Sequence, residues 1–133
     1  MLNQYHTLIW VDHRIAKVLH FNADANETTS VQSSHPHQHI HHKANSGDSG
    51  HAPVDKEFLE RVAHAIPKTG PILITGPGSA RNELRAYIER AHKDLAARIS
   101  AVEPLDHPSD GELLAFGRRF FTADDRMHPQ VSR

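Results

Sequence analysis

Histidine is the residue type that stands out in this chain, thirteen of 133 residues, and five of the thirteen fall between His35 and His42. His35, His37, His39 and His41 alternate, so on an extended segment their side chains project to one side and His42 projects to the other. Imidazole nitrogen is a common ligand for zinc, nickel and copper, and same-side neighbours can chelate. These four are therefore the candidate metal ligands, for zinc or nickel. A structural metal site usually closes with well-separated ligands, however, and a histidine run leading into Asn45-Ser46-Gly47-Asp48-Ser49-Gly50 is not preorganised. Two other readings fit the same residues. One is a solvated polar loop that picks up metal adventitiously. The other, ranked above a native metal, is an RNA-contact loop whose histidines stack on bases while Lys43 meets phosphate. Its contact residues are His39, His41, His42, Lys43, Asn45 and His51.

A second set of chemistry-bearing residues is Gly76-Pro77-Gly78-Ser79, followed by Arg81 and Arg85. A glycine turn between a strand and a helix offers backbone N–H groups and a helix dipole to an anion. Gly76, Gly78, Ser79 and Arg81 are thus candidate phosphate ligands, and a nucleic-acid phosphate suits them better than ATP, because the Gly-Lys-Ser/Thr ending of a Walker loop is missing. Most such turns only permit tight strand-to-helix packing, and that reading ranks above the anion site. Asp12 is the one weak catalytic candidate: with Glu57 or Glu60 it could begin a two-Mg²⁺ carboxylate set for nuclease chemistry. The strand ending in Thr75-Gly76 brings no acidic partner, and Asp before His13-Arg14 more simply stabilises a turn through its own backbone. Asp48, Ser49 and His51 do not match a nucleophile elbow, and a Gly-Ser loop does not hold a nucleophile still. No catalysis is expected.

The elements that must position these groups follow from hydrophobic period. Tyr5 to Asp12 and Ile15 to Phe21 are apolar runs joined by a short polar turn, which predicts an antiparallel hairpin. Glu27 to Gln32 is rich in β-branched residues and predicts a third strand. His35 to Ala52 predicts a long loop, because its glycines and serines make regular structure costly. After Pro53 the apolar residues Val54, Phe58, Leu59, Val62, Ala63 and Ile66 recur at helical spacing. Pro71 to Thr75 reads as a buried parallel strand. Leu84, Ile88, Ala91, Leu95 and Ile99 predict one long helix, and Ala101 to Leu105 a strand. Ser109-Asp110-Gly111-Glu112 has the form of a capping box opening a last helix through Phe116 and Phe120. The predicted order is β-β-β-α-β-α-β-α, a single α/β domain of ribonuclease H-like topology over residues 1–124, with the histidine- and glycine-rich loop at 35–52 and a frayed tail at 125–133.

Composition limits the functional classes. The chain has no cysteine, which excludes disulfides and thiolate metal sites and fits a reducing compartment, so cytoplasm is expected. No apolar run is long enough for a bilayer, and no membrane partner is expected. Formal charge is −1 with neutral histidines, so no global basic field announces DNA or RNA, and DNA is not an expected partner. Protonating all thirteen histidines would bring the charge to +12, which makes any electrostatic binding steeply dependent on pH.

The segment Ile72-Leu73-Ile74-Thr75-Gly76-Pro77-Gly78, with Ala80-Arg81-Asn82-Glu83-Leu84 after it, resembles the strand, Pro-Gly turn and helix in the central domain of Pelota and the archaeal and eukaryotic peptide-release factors. Trp10-Val11-Asp12-His13-Arg14, the stretch His39 to Asn45 and Gly50-His51 resemble small bacterial single-domain translational machinery proteins over nearly the whole chain. The resemblance implies a ribonuclease H-like fold and a ribosome or tRNA partner, with room for a partner protein. In release factors the loop after the third strand carries Gly-Gly-Gln for peptidyl-tRNA hydrolysis. Lys43 to His51 contains no such triplet, so that activity is not carried over; Pelota likewise lacks the triplet and acts in ribosome rescue.

Overall fold

The computed structural model describes residues 4–34 and 55–127. The predicted loop between those stretches and the last six residues lie outside the described residues.

Strand β1 (His6–Val11) is buried almost throughout because both of its faces are covered. Leu8 and Trp10 point to one face of the sheet and Ile9 and Val11 to the other, as period-two alternation requires. A tight turn at Asp12 returns the chain as β2 (Ile15–Phe21), antiparallel to β1, and β3 (Asn26–Gln32) pairs antiparallel with β2 at the edge. Helix α1 (Lys56–Ala65) then crosses to β4 (Ile72–Gly76), which lies parallel to β1. Helices α2 (Ala80–Ala91) and α3 (Lys93–Ala96) lead to β5 (Ile99–Pro104), parallel to β4. Helix α4 (Asp110–Met127) closes the fold. The five strands lie in the order β3-β2-β1-β4-β5. The antiparallel meander followed by parallel β-α-β units is the α/β order expected from the sequence.

The two sheet faces carry separate cores. Ile9, Val11, Val18, Ile72 and Ile74 meet Phe58, Leu59 and Val62 of α1 and Leu84 and Ile88 of α2 on one side. Leu8, Trp10, Leu19, Phe21 and Leu73 meet Leu113 and Phe121 of α4 on the other. Fully burying each such aliphatic or aromatic side chain stabilises by roughly 1.5–3 kcal/mol. Gly117 lets α4 come close, since a Cβ there would sit 2.9 Å from Cζ of Phe21. The capping box forms reciprocally: Ser109 Oγ accepts from the Glu112 N–H at 3.1 Å, and Glu112 Oε1 accepts from the Ser109 N–H at 2.9 Å.

One predicted element is divided. The apolar series from Leu84 through Ile99 does not lie on one helix, because α2 stops at Ala91 and His92 adopts φ −138°, ψ 78°. Leu95 is buried from the short α3, Ile99 begins β5, and Ala91 is exposed. Among the described residues no helix is long and apolar enough to cross a membrane.

Candidate functional site

Strands β1, β3, β4 and β5 run in one direction, so Asp12, Ser33, Pro77 and Leu105 all follow strand ends at the same edge of the sheet. In open α/β sheets, ligands collect outside this carboxyl edge. The first two described groups singled out from sequence, Asp12 and the Pro-Gly turn, meet here. The flanks of the histidine segment come here too. Ser34 follows β3, whose Gln32 pairs with Ile15 beside the turn. Helix α1 must run from this edge to the opposite one, where Ile72 opens β4, which sets Asp55 at the near end. Arg61 of α1 ties the start of the segment, donating to the Gln32 carbonyl at 2.6 Å and to Ser34 Oγ at 3.4 Å. His35, His37, His39, His41, His42, Lys43, Asn45 and His51 themselves lie outside the described residues.

Asp12 acts first as a turn residue. Its Oδ1 accepts from the backbone N–H groups of Arg14 at 2.8 Å and Ile15 at 2.9 Å, the bonding that Asp supplies where a chain reverses. Its Oδ2 lies 3.9 Å from Nε2 of His107, on the link between β5 and α4. The His107 ring meets Trp10 edge to face with centroids 5.1 Å apart, and the Trp10 indole N–H donates to the Asp106 carbonyl at 2.7 Å. Between these groups opens a cleft of about 450 Å³ lined by Asp12, Arg14, Ile15, Gln32, Ser33 and His107. Arg14 is exposed, while its carbonyl accepts from the Ser33 N–H at 2.9 Å.

The Pro-Gly turn is built around close approach. Gly76 has φ +146°, and a Cβ there would lie 2.1 Å from the Val11 carbonyl oxygen, so only glycine lets β4 pass β1 at this point. Arg81 folds back over the turn and donates from Nη1 to the carbonyls of Gly76 at 2.9 Å and Gly78 at 2.5 Å. Ser79 caps α2 through its carbonyl, and its Oγ donates to Glu83 Oε2 at 3.0 Å. That carboxylate also lies 3.7 Å from Nε2 of His13, which joins the β1–β2 turn to the start of α2. Gly76, Gly78, Ser79 and Arg81 are thus together, as an anion site needs. Arg81 Nη1 nevertheless faces carbonyl oxygens, and an acidic side chain occupies the first turn of the helix.

The opposite, amino edge holds a cluster that sequence reasoning missed. Glu60 of α1 accepts a short hydrogen bond from the Tyr87 hydroxyl, its Oε1 lies 2.8 Å from His92 Nε2, and its Oε2 lies 2.7 Å from His64 Nε2. The Tyr87 bond, then the His92 bond, hold the Glu60 carboxyl at about 2, and the same carboxylate pushes the Tyr87 hydroxyl up. Glu60 is therefore committed here, away from Asp12, and does not complete a two-metal carboxylate pair with it. Arg98 donates from Nε to the Gly70 carbonyl and from Nη2 to the Pro67 carbonyl, both at 2.8 Å, and burial lowers its pKa. The only local trace of this cluster in the sequence is the Glu60/His64 spacing on one helix face. Among the described residues no group of three or more His, Asp or Glu side chains is arranged to hold a metal ion.

No family model matches the chain, and no curated protein matches it in sequence. Its fold does match solved structures. The Pelota protein of Thermoplasma acidophilum superposes with a TM-score of 0.61 at 16% identity, covering 86% of this chain and 32% of its own. Archaeoglobus fulgidus Pelota gives 0.60 at 14% identity, covering 88% and 31%. The archaeal translation termination factor aRF1 gives 0.55 at 14% identity, covering 82% and 32%. This chain spans about a third of the length of each of these neighbours. Identity at that level speaks for architecture alone, and the architecture is that of a Pelota- and release-factor-like α/β domain.

Proposed function

We propose that this domain works in translation as a non-catalytic factor that binds the ribosome or tRNA through the carboxyl edge of its sheet, in ribosome rescue or hibernation. The observation that carries the reading is the fold match to two Pelota proteins and a translation termination factor over more than four fifths of this chain. The edge geometry supports it. Exposed Arg14 offers a cation to phosphate beside a polar cleft, and the candidate RNA-contact residues His39, His41, His42, Lys43, Asn45 and His51 lie between Ser34 and Asp55, the flanks at that edge. The Gly76-Pro77-Gly78-Ser79 turn with Arg81 is the secondary phosphate contact. A cytoplasmic location and a partner protein supplying further domains go with this reading.

Sucrose-gradient sedimentation of the tagged protein in lysate, at low and high salt, tests it. Migration with ribosomal particles, weakened by salt and by deleting residues 43–51, is the expected result. Persistent migration at the top of the gradient across salt and pH would overturn it. The alternating histidines favour a second reading, a zinc- or nickel-binding protein. That reading requires one tight metal equivalent lost on replacing His39 and His41 by alanine, and weak multi-equivalent binding would end it.

A further inference from the structure

The cleft between the β1–β2 turn and the β5–α4 link has the size and lining of a site for one nucleotide. About 450 Å³ falls within the range of small-ligand sites. Its walls combine the parts from which single-stranded nucleic acid is held. The His107 ring is exposed on one side and braced on the other by the edge-to-face contact with Trp10. Arg14 is an exposed cation at the rim. Ile15 gives an apolar wall, and Gln32 and Ser33 give polar ones. Asp12 is held at Oδ1 by two backbone N–H groups, which fixes Oδ2 toward His107.

We infer that this cleft binds a single nucleotide of an unpaired RNA strand, its base stacked on His107, its phosphate at Arg14 and an exocyclic amino group donating to Asp12 Oδ2. Aromatic rings stack on any base, so His107 supplies affinity without choosing among bases. A carboxylate accepts hydrogen bonds and cannot donate them, so an Asp12 Oδ2 that meets the base's exocyclic group favours the amino groups of adenine, cytosine and guanine over the carbonyl oxygens of uracil. The inference rests on the translation reading for the source of the RNA, but the cleft's own chemistry can be tested without ribosomes.

Trp10 is the sole tryptophan of the chain and lies 5.1 Å from the His107 ring, so its emission reports on the site directly. The full-length protein is titrated with AMP, CMP, GMP, UMP and short unstructured oligoribonucleotides, following Trp10 fluorescence, with equilibrium dialysis as an independent measure of binding. The expected result is saturable binding that is weakest for UMP. His107→Ala should weaken it by roughly ten-fold or more, the range of one lost base stack, while His107→Phe retains it. Arg14→Ala should weaken binding and flatten its salt dependence. His107 and Arg14 are both exposed, so circular dichroism of these variants should match that of the parent. No retention in dialysis together with silent fluorescence, or equal affinity in His107→Ala, would overturn the site. If the parent sediments with ribosomes but binds no nucleotide, the nucleotide site falls while the translation reading stands. If nucleotides bind but nothing sediments, the reverse holds.

Discussion

The two edges of the sheet are furnished with the same residue types, histidine, carboxylate and arginine, yet use them differently. At the amino edge the contacts are short: Glu60 draws in His64 and His92 at 2.7 and 2.8 Å, and Arg98 bonds two carbonyls at 2.8 Å. These bonds tie α1 to the end of α2 and brace the strand entrances. At the carboxyl edge Lys17 meets Asp110 at 2.7 Å, but the long-range histidine–carboxylate pairs are looser, His13 to Glu83 at 3.7 Å and His107 to Asp12 at 3.9 Å, and Arg14 stands exposed beside an open cleft. The lesson is that a polar side chain's availability is set by how completely the fold has already satisfied it. Titratable residues in a cluster mark a site for a partner only where they retain bonding capacity.

The largest effect should come from Gly76→Ala, which sets a methyl group against the Val11 carbonyl in a backbone conformation that only glycine adopts readily. It should cost about 3 kcal/mol or more, or prevent folding, in urea denaturation, since neither backbone can yield without breaking β1–β4 pairing. Arg98→Ala comes next. It leaves the Pro67 and Gly70 carbonyls without their donor and should cost about 1–3 kcal/mol while sparing ribosome sedimentation. If it spared stability and abolished sedimentation, the two edges would exchange roles.

Glu60→Gln should alter the pH profile of stability. The Glu60 carboxyl is lowered from 4.5 to about 2 in the folded state, so its contribution is complete above 4.5 and disappears as pH falls toward 2. The parent's thermal-midpoint advantage over the variant should therefore shrink across that interval, and a constant gap would remove Glu60 from the amino-edge tie. His107→Ala should have the smallest effect on folding, within about 0.5 kcal/mol by denaturation, because the side chain is mostly exposed. A larger loss would mean that the carboxyl edge is as structural as the amino edge.

The fold was legible wherever neighbours in sequence are neighbours in space. Alternation in β1, the apolar run of β4, Ser109 with Glu112, and Asp12 before a turn all announce local geometry. The end of α2 did not, because Leu95 and Ile99 continue the apolar series past His92, where the helix stops and the imidazole meets Glu60, 32 positions away. The same holds for Trp10 and Asp106, 96 positions apart, whose bond brings His107 to the cleft. Arg61 and Arg98 likewise bond backbone carbonyls far away in sequence, at Gln32 and Gly70. Hydrophobic period shows what a residue's near neighbours do; it carries no signal for a partner brought in by the sheet order.

The asymmetry between the two cores has a consequence for the order in which the domain is made. Every strand and the three helices on one face precede α4 in the chain. During synthesis, Leu8, Trp10, Leu19, Phe21 and Leu73 therefore have no cover until Leu113 and Phe121 emerge, even though the opposite face can already be packed. A nascent chain stalled between β5 and α4 is half sealed: one side native, the other an apolar sheet surface open to chaperones and to aggregation. Productive folding of this domain is thus decided by its last helix.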